Sequence, residues 1–144
     1  MISVVSSRSW SVVRLLVALV LLTSHAGAAR ALGPEGTWII SGRVVVDIFG
    51  CDNALCGRVV WLRNPRLRTA EMCGRTIIWG LTPSGPEQWT DGSLVDPEDG
   101  GTYSLSAVLQ RDGTISARVY KGLSLFGRTE LLRRIEPYSL SGWC

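Results

Sequence analysis

Four cysteines, one cluster of carboxylates and one run of arginines are the side chains in this sequence best equipped for chemistry. Cys51 and Cys56 stand close together, while Cys73 and Cys144 are isolated. Asp91, Asp96, Glu98 and Asp99 form the acidic cluster, and Arg128-Thr129-Glu130 with Arg133 and Arg134 is the densest charged stretch. Two nearby carboxylates could serve as the acid and base of a glycosidase. Closely spaced cysteines could bind metal, act as thiols or cross-link the chain. The sole histidine is His25.

The position of that histidine narrows these choices. Arg8 and Arg14 precede the apolar run Leu15 to Leu22, and Ala26-Gly27-Ala28 follows it. A positive n-region, a short apolar core and a small-residue cleavage site describe a secretory signal peptide. The run is shorter than the roughly 20 residues of a membrane span, so no stable membrane anchor is expected. Residues 1–28 are read as the signal peptide and 29–144 as a single domain; Ala29-Arg30-Ala31 offers a second cleavage point. The exported domain then has no histidine. It can run neither a Ser-His nor a Cys-His nucleophile, nor build an ordinary histidine-ligated zinc site. Losing Arg8 and Arg14 also lowers the formal charge from +3 to +1, and no basic stripe argues for nucleic acid.

Carboxylate chemistry, or Lys121, tyrosine, arginine and backbone donors, is what remains for an enzyme. The acidic cluster lacks the ligand spacing of a calcium loop. Its Asp-Pro and Asp-Gly pairs are also ordinary turn chemistry, which makes a solvated turn the simpler reading. No catalytic residue, metal or cofactor is expected. An even cysteine count in an exported chain reads as two disulfides. Three pairings are open. Sequence proximity favours Cys51–Cys56, leaving Cys73–Cys144, with entropic contributions of ~2 and ~4 kcal/mol. A four-thiolate zinc site would need a second cysteine knuckle, which Cys73 and Cys144 do not supply.

The elements that must carry these residues are strands. Arg43 to Phe49 is rich in β-branched residues, and Arg58 to Leu62 follows the turn that Cys51 and Cys56 would bridge. Arg66 to Met72 could hold a short helical turn. Thr76 to Leu81 and Glu87 to Leu94 read as strands, with a possible bulge at Asp91-Gly92. Tyr103, Leu105, Ala107 and Leu109 alternate with Ser104, Ser106, Val108 and Gln110, the cleanest period of two in the chain. Asp112-Gly113 then turns into Ile115, Ala117 and Val119, and Leu125 to Ile135 reads as a last long strand. About eight short strands with turn chemistry between them predict an all-β, antiparallel barrel. Closure removes exposed edges, and eight strands leave room for packed side chains or one small ligand.

Cys51-Asp-Asn-Ala-Leu-Cys56-Gly-Arg-Val-Val-Trp61-Leu62 carries a resemblance to the exported bacterial family known as domain of unknown function 2147. The family's pattern continues in Gly36-Thr37-Trp38, in Asp96-Pro97-Glu98-Asp99-Gly100 followed by Tyr103, and in Gly122 to Gly127 leading into Arg128-Thr129-Glu130. Leu132 stands where the family often has an aromatic residue, and Val119 where it often has glycine. The family has no established activity. It resembles the lipocalin-like (calycin) barrels, eight-stranded cups that commonly hold small apolar ligands. By that resemblance Gly36 and Trp38 begin the first strand, and Arg134 of the last strand stacks on Trp38 to close the barrel floor, with ~0.5–2 kcal/mol from the cation–π contact.

The resulting expectation is a periplasmic or extracellular protein of a Gram-negative bacterium that binds a small apolar ligand. Trp61, Trp79, Tyr103, Leu105, Ala107 and Ala117 are the residues placed to line the cavity, with the two alanines leaving room. The same residues could instead fill a core. The alternative function is then a periplasmic protein-interaction module of the hydrolase-inhibitor type, contacting its partner through the loops at Asn64–Met72 and Thr82–Gln88. A carboxylate enzyme ranks third.

Overall fold

A computed structural model of the chain describes residues 33–136 and 144; the expected signal peptide and the start of the expected domain lie outside the described residues. Eight strands follow in chain order: β1 (Gly36–Ile40), β2 (Val44–Cys51), β3 (Ala54–Leu62), β4 (Thr76–Gly85), β5 (Gln88–Val95), β6 (Thr102–Leu109), β7 (Ile115–Tyr120) and β8 (Arg128–Arg134). Each pairs antiparallel with the next, and β8 returns to β1 to close the barrel. No helix among the described residues is long and apolar enough to cross a membrane.

Alternation turns one face of every strand inward. Trp38, Val46, Val59, Leu62, Ile77 and Val119 are nearly or fully buried within one cluster. Burial of a large apolar side chain contributes about 1.5–3 kcal/mol, so this cluster dominates stability. Gly92 abuts Leu81, and the pairing of β5 with β6 shifts between Trp89 and Gly92, where Asp91 takes a φ of 61°. The Asp91-Gly92 bulge is thus present.

Three local readings differ. The segment 125–127 is not strand: Ser124–Phe126 forms a 3₁₀ turn, and β8 begins only at Arg128. The helical turn in the β3–β4 connection is a 3₁₀ turn at Pro65–Leu67, capped by the Asn64 side chain. β4 runs on through Pro83, which pairs with Trp89 of β5, whereas the pairing with β3 ends at Leu81 opposite Leu55. A proline is tolerated where only one side of the strand is bonded.

Both disulfides are formed, Cys51–Cys56 across the β2–β3 hairpin and Cys73–Cys144 from the β3–β4 connection. The Cys144 N–H also donates to the Val60 carbonyl at 3.0 Å.

Candidate functional site

The barrel has two ends. The mouth holds the β1–β2, β3–β4, β5–β6 and β7–β8 connections, and the floor holds the approach to β1 and the end of β8. At the mouth the charged side chains converge on Glu130. It is the one buried charged residue among those described, 8% exposed, and its inward position on β8 brings it beside Ala117 of β7. Its Oε1 accepts from Arg128 Nε at 2.9 Å and from Arg43 Nη2 at 3.1 Å, and its Oε2 accepts from the Ser41 hydroxyl. Arg43 also pairs with Glu98, and Arg128 Nη2 reaches Asp96 Oδ2 at 2.7 Å. Burial pushes the Glu130 carboxyl up, but the Ser41 hydroxyl and the two guanidiniums outweigh it and hold it below the usual carboxylate range.

Tyr103 extends this network. Arg128 Cζ and Lys121 Nζ stand 4.8 and 4.6 Å from its ring centroid. Its hydroxyl donates to Asp99, which raises the phenol above its ordinary value and lowers Asp99 below its own; the Gly101 N–H adds to the latter. The turn carboxylates Asp96, Glu98 and Asp99 therefore each face a partner from another element. Engaged by Arg128, Arg43 and the Tyr103 hydroxyl, they form a latch across the mouth. No cluster of metal-binding side chains occurs among the described residues.

Below Glu130 the interior is apolar. A cavity of about 30 Å³ is bounded by Leu81, Trp89, Leu105, Ala107, Ala117 and Leu132, among others. Trp89 pairs with Ala107, and Ala107 with Ala117, so a large indole sits beside the two small side chains. At the floor, Arg134 Cζ lies 4.3 Å from the Trp38 ring centroid, and its Nη1 donates to the Glu35 carbonyl at 2.6 Å. Trp38 Nε1 donates to the Pro34 carbonyl at 2.8 Å. Gly36 has a φ of 121°, and a Cβ there would stand 2.5 Å from Arg134 Nη1. Only glycine leaves the arginine its path across the indole.

Residues 36–134 match the sequence profile of a family described as uncharacterized protein conserved in bacteria (DUF2147). The chain belongs to this family. Among solved structures, the protein HP1028 from Helicobacter pylori, described as belonging to the lipocalin family, is similar with a TM-score of 0.59 at 14% identity, over 72% of this chain and 83% of that one. At that identity the likeness is one of fold. A comparison with curated protein sequences found no match.

Two segments that carried the resemblance meet at this mouth: Asp96–Gly100 with Tyr103, and Gly122 to Glu130. Of the residues placed on a ligand cavity, Leu105, Ala107 and Ala117 line the interior space. The other three do not. Trp61 lies off the interior with Arg68 Cζ 5.0 Å from its ring, because the β2–β3 register shifts after Val59 and sets Trp61 opposite Val45, which is buried but outside the core cluster. Trp79 is 39% exposed. Tyr103 belongs to the mouth. Sequence reasoning passed over Trp89, which lines the interior, and also Ser41 and Arg43. An isolated tryptophan at a strand start and two residues of an ordinary turn carry no signal of long-range partners.

Proposed function

We propose that this DUF2147 protein is an exported, periplasmic protein-interaction module that works through its outer surface rather than by carrying a small molecule inside. One observation supports this reading above the others: the interior space is about 30 Å³, against about 300–1,000 Å³ for pockets that enclose small ligands. Two disulfides fit an oxidising compartment. The mouth carboxylates are each engaged by an arginine or tyrosine of another element, which favours a binding role over carboxylate catalysis. The competing reading, a carrier of an apolar ligand, draws on the apolar residues around the interior space, with Glu130 as their charged member.

Native mass spectrometry of protein purified from its own envelope, compared with the same sample after denaturation, separates the two. The expected result is one mass, that of the oxidised chain, in both states. A mass excess that disappears on denaturation would overturn the filled-barrel reading and restore the carrier.

A further inference from the structure

Six large apolar side chains are exposed among the described residues, and five of them lie on β6, β8 and the β7–β8 connection: Val108, Leu123, Leu125, Phe126 and Leu131. Val108 and Leu131 flank Ser116 on the outer face, one on each neighbouring strand. Leu123, Leu125 and Phe126, at the β7–β8 turn, are 69%, 77% and 79% exposed.

That turn is held in place. Arg118 of β7 donates through Nε to the Ser124 carbonyl and through Nη2 to the Leu125 carbonyl, both at 2.9 Å, and through Nη1 to Thr129 Oγ1 at 3.2 Å. Gly127 presses its backbone on β7, where a Cβ would lie 2.5 Å from the Val119 carbonyl oxygen. The backbone is anchored while the apolar side chains face outward, so their exposure is built in and calls for a partner.

Charge on this side favours one kind of partner. From Thr102 to Arg134 the chain has six basic residues, Arg111, Arg118, Lys121, Arg128, Arg133 and Arg134, and two acidic ones, Asp112 and Glu130. Glu130 is turned inward, and Asp112 is bonded by the Thr114 N–H and hydroxyl. Arg128 and Arg134 serve the mouth and the floor. Arg118 and Lys121 flank the apolar turn and take part in none of the described ion pairs, although Lys121 also acts on Asp99. Arg111 and Arg133 lie toward the floor, where Arg133 acts on Asp112. An outward apolar tip of leucine and phenylalanine, flanked by the cations Arg118 and Lys121, matches the layering of acyl chains below phosphate headgroups.

We propose that the β6–β8 side, led by Leu123, Leu125 and Phe126, is a reversible docking surface for an anionic lipid bilayer. The contact is peripheral. It goes beyond the filled-barrel reading and does not depend on it, since a ligand inside the barrel would leave this surface unchanged.

The test is sedimentation of the purified exported protein with vesicles of phosphatidylglycerol and phosphatidylethanolamine, and with vesicles of phosphatidylcholine alone. Binding to the anionic vesicles, at least tenfold weaker to the zwitterionic ones and reduced by added salt, is expected. The surface variant Leu125→Ser/Phe126→Ser should lose at least tenfold in affinity while melting at the wild-type temperature, and Lys121→Glu should weaken binding by a smaller factor. Wild-type protein that stays in the supernatant with anionic vesicles would overturn the proposal. So would a Leu125→Ser/Phe126→Ser variant that binds as tightly as wild type, or self-association through this turn in place of vesicle binding.

Discussion

At the floor, Arg134 lies on the Trp38 indole and donates to the backbone carbonyls of Gly33 and Glu35. At the mouth, Arg43 and Arg128 donate to the carboxylates of Glu130, Glu98 and Asp96. Both ends are closed by arginine, yet on different acceptors. A carbonyl keeps its acceptor capacity at any pH, whereas a carboxylate loses its charge on protonation. The floor is thus a fixed seal joined to the apolar core. The mouth is a seal whose strength follows pH and ionic strength, as exposed charge pairs do.

Substitutions at the two ends should separate these roles. Trp38 is fully buried, and Trp38→Ala is expected to have the largest effect, a loss of about 3–5 kcal/mol in chemical denaturation or failure to fold at all. A loss under about 1 kcal/mol would show that the floor does not anchor the core. Glu130→Gln keeps the shape but removes the charge that two arginines and a serine address. It should cost about 1–3 kcal/mol near neutral pH.

The pH dependence sharpens the contrast. The folded state holds the Glu130 carboxyl below its ordinary value, so the unfolded chain takes up the proton first as pH falls. Its contribution is fully present above the ordinary carboxylate range and is lost as pH drops through the folded-state value. The gap between wild type and Glu130→Gln should therefore shrink in acid, while the gap between wild type and Trp38→Ala should persist. Parallel curves for both variants would break the comparison. The smallest effect is expected on the outer wall, where Arg58 reaches Asp47 at 2.8 Å with about half of its side chain in water. Arg58→Ala should change stability by about 1 kcal/mol or less.

Strand number and the Asp91-Gly92 bulge were legible because each rests on a local pattern: a period of two, a turn dipeptide, a glycine within a strand. Closure followed from the cost of exposed edges instead. The lipocalin-like architecture came through the DUF2147 resemblance rather than through periodicity. The mouth was much less legible. Its acidic turn and its arginine run were each visible, but Ser41 and Arg43 reach Glu130 across 89 and 87 residues of chain. Nothing in a Ser-Gly-Arg turn announces such partners. Trp61 failed for a different reason. One extra residue in β3 reverses which face the following side chains take, and the apolar run Val59-Val60-Trp61-Leu62 reads the same with or without it. Leu125 and Phe126 of the apolar turn were read as the start of a strand because two adjacent large apolar residues fit strand composition as well as they fit an exposed tip.

Seven of the eight strand pairings join consecutive strands, and the eighth, β1 with β8, is set by Trp38↔Arg134, Ile39↔Arg133 and Ile40↔Leu132. The hairpins bring together neighbours in the chain and can zip early. The seam must wait for nearly the whole domain to be available, so its loop-closure entropy falls late on the folding path. The arginine–tryptophan stack at the floor is then a clasp that completes the ring. The chain reaches its native topology only after its last strand is available to pair with its first.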